Sequence, residues 1–187
     1  MKSCSNLSCS SCSNELIDIY GLCEPSDINA VISSNPYWIQ MYIPETLTVP
    51  EVKPDIEGIN SVDISVNILR AEVIKTPVSV IPNLEGKSLS GRKLIVEGQL
   101  CQKIGYTAAL EDQPAHSMHF YVPFSAYIVV PETITFTDEN NVKTDVDSLD
   151  VNFSVNSCIE DVNISVLDSR TVLKQVTLLL YAVSVQD

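Results

Sequence analysis

Residues 91–124 read GRKLIVEGQLCQKIGYTAALEDQPAHSMHFYVPF, and the alternation in them separates a β protein from a helical one. Between residues 93 and 106, Leu94, Val96, Leu100, Ile104 and Tyr106 fall on one side with Gly98 among them. Glu97, Gln99, Cys101 and Lys103 fall on the other. A period of two is that of a strand, whose successive side chains point to opposite faces. A polar connection at Glu111, Asp112 and Pro114 leads into a second run over residues 116–122, so the stretch is expected to form a long β-hairpin. Its parity puts Cys101 on the polar face, where a thiol is accessible.

Working outward, the same pattern recurs. Val62, Ile64, Val66 and Ile68 oppose Ser61, Asp63, Ser65 and Asn67, and the phase slips at Ile68 and Leu69, which predicts a bulge. Upstream, residues 37–43 read as a strand, residues 28–33 as one short helical turn, and Pro44, Pro50 and Pro54 as an extended segment at a sheet edge, since proline lacks a ladder donor. Downstream, strands are expected over residues 127–130, 134–136, 149–156, 162–166 and 172–185. Extending the alternation of residues 149–156 turns Ser157 inward and Cys158 outward. Turn signals at this spacing, with Val, Ile, Ser, Thr and Asn dominant, predict an all-β protein: an antiparallel β-sandwich, jelly-roll-like, over residues 15–187. Residues 1–14, rich in Ser, Asn and Cys and without periodicity, are expected to form a flexible connector arm.

The chain has 187 residues, with 11 Lys plus Arg against 24 Asp plus Glu and a net charge of -13. That field, with no basic run, argues against nucleic acid or an anionic membrane as partner. The opening MKSCSNLSCSSC has no apolar core of a secretory signal, and residues 178–183 are too short to span a bilayer. No cofactor is expected and no enzymatic residue set can be assembled. His116 and His119, three apart on a strand, face opposite ways and cannot chelate one ion together. The carboxylate pairs Glu111 and Asp112, Asp138 and Glu139, and Glu160 and Asp161 are expected in turns, as solvated charge. Asp145, Asp147 and Asp150 lack the glycine and terminal glutamate of an EF-hand loop.

The strings LIVEGQLCQKIGY and DQPAHSMHFYVPFSAYIVVP, preceded by MYIPETLTVPEVKPDIEGINSVDISV, resemble the SPOCS domain of spore-coat and spore-morphogenesis proteins in endospore-forming bacteria. The resemblance covers residues 38–131 and implies a β-rich module used in building a spore surface. It further implies synthesis in the cytoplasm of the sporulating mother cell and deployment on the spore surface.

Six cysteines fit such an oxidising destination better than a reducing cytoplasm. Cys4, Cys9 and Cys12 lie on the arm, which extended can reach roughly 45 Å. Cys101 and Cys158 lie on polar strand faces, and Cys23 stands at the edge of the folded part as an intrachain or accessory thiol. Cys9 and Cys12 form half of a zinc pattern without a second pair at matching spacing. The reading that uses all of these features is arm exchange: the arm of one copy adds to a neighbour's sheet edge and forms intermolecular disulfides through Cys4, Cys9 and Cys12 to Cys101 and Cys158. The layout is similar to that of endospore appendage fibre subunits. The expected partners are other copies of the chain, in a helical or linear homopolymer, and other spore-coat proteins. Arm thiols that stay free or pair within one chain are the alternative chemistry, and a coat adaptor that docks without polymerising is the alternative function.

Overall fold

A computed structural model describes residues 17–79, 81–82, 88–112 and 114–185. The arm, with Cys4, Cys9 and Cys12, lies outside the described residues. Within them the order is β1 (Asp18–Tyr20), α1 (Pro25–Ser34), β2 (Trp38–Thr48), β3 (Ile56–Val78), β4 (Ser90–Ala108), β5 (Ala115–Val129), β6 (Thr133–Thr137), β7 (Lys143–Asp147), a 3₁₀ turn (Ser148–Asp150), β8 (Asn152–Asp168) and β9 (Thr171–Val185). Strands β1-β3-β4-β5 form one sheet, β2-β9-β8 a second, and β6 with β7 a separate hairpin. The two larger sheets stack as a sandwich. All their pairings are antiparallel except β1 against β3.

Alternation decides which residues fill the space between the sheets. Val62, Ile64, Leu94, Val96, Leu100 and Ile128 from the first sheet meet Ile43, Ile159, Val162, Val176, Leu178 and Leu180 from the second. A second cluster, with Leu47, Ile59, Ile104, Tyr106, Met118 and Val172, fills the other end. Each fully buried side chain of this size contributes about 1.5–3 kcal/mol, so the core dominates the stability.

The hairpin of β4 and β5 forms as its alternation dictates, and its recurring residues are explained by packing. Gly98 lies opposite Phe124, whose ring occupies the space that a Cβ at position 98 would need. Tyr106 lies opposite His116, with ring centroids 5.8 Å apart. The Tyr106 hydroxyl donates to the Pro54 carbonyl at 3.1 Å. Arg170, in the turn between β8 and β9, holds the proline-rich segment before β3: it pairs with Asp55 at 2.7 Å and donates to the carbonyls of Val49, Pro50 and Lys53. The motif residues around Pro54 and Tyr106 are therefore framework.

The bulge expected near Leu69 is present as a register shift between Ile68 and Arg70. β2 continues through Pro44 as the outermost strand of its sheet, a place where a missing donor does no harm. Other expectations need correction. The helical turn is a ten-residue helix opened by Pro25, and Asn35 ends it by donating to the Ala182 carbonyl and accepting from the Tyr37 N–H. The strands expected over residues 149–156 and 162–166 are one strand without a turn between them: β8 starts at Asn152, after the 3₁₀ turn, and is continuous, and Glu160 and Asp161 stand at its bulge, with Glu160 accepting from Gln40 at 2.7 Å. A bulge absorbs the change of phase that in sequence resembles a turn. Residues 143–147 form β7, which their charged composition conceals.

Candidate functional site

The outer face of the four-stranded sheet carries the polar half of the β4 alternation. Cys101 sits there between Ser65 of β3 and Tyr121 of β5, its direct cross-strand neighbours. The next row along the sheet is Asp63, Lys103 and His119. These side chains surround a shallow depression of about 220 Å³ with Cys101 in its wall. Cys101 is half-buried and is not disulfide-bonded, and Gln99 Nε2 points at its Sγ from 3.8 Å. It presents an unpaired sulfur beside polar and charged groups of both signs.

Cys158 fares differently, and the expectation of an exposed acceptor there is overturned. Its parity is the one expected, opposite to Ile159, which lies in the core. Yet it is only 4% exposed and is disulfide-bonded to Cys23, with Cα atoms 5.6 Å apart. The N-terminal segment covers that face. β1 pairs with β3 in the first sheet, then the chain turns at Gly21 and reaches the second sheet, where Leu22 bridges Ile159 and the Cys23 N–H donates to the Ile159 carbonyl at 2.9 Å. Gly21 has φ of +100°, and a Cβ there would lie 2.0 Å from the Ile64 carbonyl oxygen, so only glycine makes this crossing without strain. Cys23 thus bonds within its own chain and closes one flank of the sandwich.

The remaining candidates are held apart. His116 faces inward against Tyr106, whereas His119 lies outward opposite Lys103. Asp145 accepts from Thr135, while Asp147 accepts from Arg92 and from the Leu149 N–H. The Arg92 guanidinium, hydrogen-bonded to Asp147, holds that carboxyl below the usual carboxylate range. Arg170 and Ser169 do the same for Asp55. Among the described residues no group of three His, Cys, Asp or Glu side chains is gathered to hold a metal ion, and no helix is long and apolar enough to cross a membrane.

Among the buried polar residues that sequence reasoning missed, Glu45, Gln102 and Lys174 lie between the two large sheets. The signal was present, for each interrupts an inward apolar row: Ile43-Glu45-Leu47, Leu100-Gln102-Ile104 and Val172-Lys174-Val176.

A protein-family model described as SipL, SPOCS domain matches residues 55–156. No curated protein and no solved structure matches the chain. The matched span runs from the segment before β3 into β8. It contains Cys101 and excludes Cys23 and Cys158.

Proposed function

The chain belongs to the SPOCS-domain family and so has a sporulation-associated role, and from that premise we propose that it is a structural subunit of a spore coat or spore-surface fibre, assembled by arm exchange and disulfides. The observation that carries this reading is the accessible Cys101, unpaired on a sheet face, in a chain whose first dozen residues bring three further thiols. With Cys158 bonded to Cys23, each folded body offers one strand-borne acceptor and one thiol-bearing arm. One donor and one acceptor per subunit give head-to-tail, unbranched growth, which yields a filament when the contact does not close into a ring.

Arm exchange through Cys101 would carry a geometric requirement. β4 is an inner strand, so an arm paired along the outer edge of β5 would run two strand spacings, roughly 10 Å, from Cys101. A disulfide needs Cα atoms within about 7 Å. A disulfide to Cys101 would therefore require the arm to cross the outer face of the neighbour's sheet, over the depression between Ser65 and Tyr121, in place of the edge addition expected from the sequence.

The test is electrophoresis of material from the spore surface with and without reductant, followed by peptide mapping. Ladders that collapse on reduction, with Cys101 linked to Cys4, Cys9 or Cys12 of another chain, are expected. Single chains in the absence of reductant would refute the reading. Retention of a coat partner by protein lacking residues 1–13, without any self-association of the intact chain, would favour the adaptor.

A further inference from the structure

Three polar side chains meet at the waist of the sandwich, where the two apolar clusters join. Lys174 of β9 is 0% exposed, Gln102 of β4 3% and Glu45 of β2 7%. Glu45 and Lys174 are direct cross-strand partners in one sheet, and Gln102 reaches them from the other. Lys174 Nζ lies 2.9 Å from Glu45 Oε2, and Gln102 Nε2 donates to that same oxygen at 2.9 Å. An amine and a carboxamide gathered on one carboxylate oxygen are close neighbours. Glu45 Oε1 and Gln102 Oε1 are buried without a hydrogen-bond partner among the described residues.

As an ion pair this cluster is poor. A buried charge pair carries a desolvation cost of several kcal/mol per ion and repays it only when the remaining lone pairs are satisfied, which here they are not. As a set of reactants it is well composed: a nucleophile, an electrophilic amide carbon and a proton carrier between them, screened from water. We propose that Lys174 and Gln102 become joined by an isopeptide bond that ties the two sheets together, with Glu45 carrying the protons.

The step balances without an oxidant or a co-reactant. Glu45 takes a proton from the Lys174 ammonium. The freed Nζ lone pair attacks Cδ of Gln102, and the bond from Cδ to Nε2 breaks. The leaving nitrogen receives one proton from the Glu45 carboxyl, which then regains one from Nζ, and ammonia departs. What remains is a secondary amide and a neutral Glu45, so both charges vanish from the core. Burial already pushes the Lys174 ammonium below its ordinary value, which favours the uncharged amine. Turning the Gln102 amide over brings its oxygen to Glu45, where a protonated carboxyl polarises the carbonyl. Glu45 itself is the less suitable electrophile, because consuming it removes the proton carrier.

This inference stands independently of the assembly reading, since it concerns one folded body. The test is the intact mass of the full chain under reducing and denaturing conditions, with a peptide digest to locate the link. A mass lower than the sequence mass by one ammonia, with a branched peptide joining Gln102 to Lys174, is expected. Gln102→Leu, Lys174→Met and Glu45→Ala should each appear at their own sequence mass. An unshifted wild-type mass, or loss of water with a link from Lys174 to Glu45, overturns the proposal. The wild-type measurement decides even where a variant fails to fold.

Discussion

Cys101 and Cys158 lie in opposite sheets, the first on the inner strand β4 and the second on the edge strand β8, each on the polar parity of a long alternating strand, and they meet different fates. Over Cys158 the chain lays its own N-terminal segment, so the sulfur is buried and bonded to Cys23. Over Cys101 no described segment passes, and the sulfur stays unpaired beside a depression. Strand parity tells which face a side chain takes. Whether that face meets solvent depends on where a distant segment is laid down.

Breaking the comparison at Cys101 has the largest expected effect. In the full-length chain, Cys101→Ser should abolish reductant-sensitive polymers, as should removal of residues 1–13, whereas Cys158→Ser should leave them in place. Non-reducing electrophoresis with negative-stain microscopy reads all three. Loss of polymers in Cys158→Ser alone would reverse the roles assigned here.

The next effect runs the other way. Opening the Cys23 and Cys158 bond, by Cys23→Ser or Cys158→Ser, should cost about 2–4 kcal/mol in urea unfolding, because the bond closes a long loop. Cys101→Ser, on a sheet face, should stay within about 0.5 kcal/mol of wild type. Gly21→Ala sharpens the same contrast from the backbone. It should cost about 1–3 kcal/mol by straining the crossing that delivers Cys23, with no loss of the Cys101 disulfide.

The smallest expected effect is electrostatic and should ignore both cysteines. Asp55 and Asp147 are held below the usual carboxylate range by Arg170 and Arg92. Their contribution is therefore complete above the unfolded carboxylate value, about pH 4, and is lost as pH falls through the lower folded value. Asp55→Asn should flatten the acid limb of the stability profile equally in the Cys101→Ser and Cys158→Ser backgrounds. A background-dependent change would tie the Arg170 turn to the disulfide flank.

The hairpin of β4 and β5 was legible because each of its faces is uniform over many residues and its connection is polar. The bulge near Leu69 was legible as a slip of phase. Glu160 and Asp161 misled, because charge within a continuous strand reads as a turn when the bulge that accommodates it is unseen. Part of the cysteine assignment was legible: Cys101 on its face, Cys23 at the edge of the folded part. The bond from Cys23 to Cys158 was not, since it joins residues 135 apart in sequence through a crossing that depends on one left-handed glycine.

Local periodicity, then, fixed the all-β class, the hairpin and the inward rows, because side-chain direction in a strand follows from the backbone alone, and composition by itself set the acidic, thiol-bearing character of the chain. Only the tertiary structure decided which outward face is covered and which inward polar residues meet. Those outcomes depend on the stacking of two sheets and the path of a segment between them. That stacking brings Gln102 onto the carboxylate that Lys174 also meets, and the path of the segment leaves Cys101 open while Cys158 is closed.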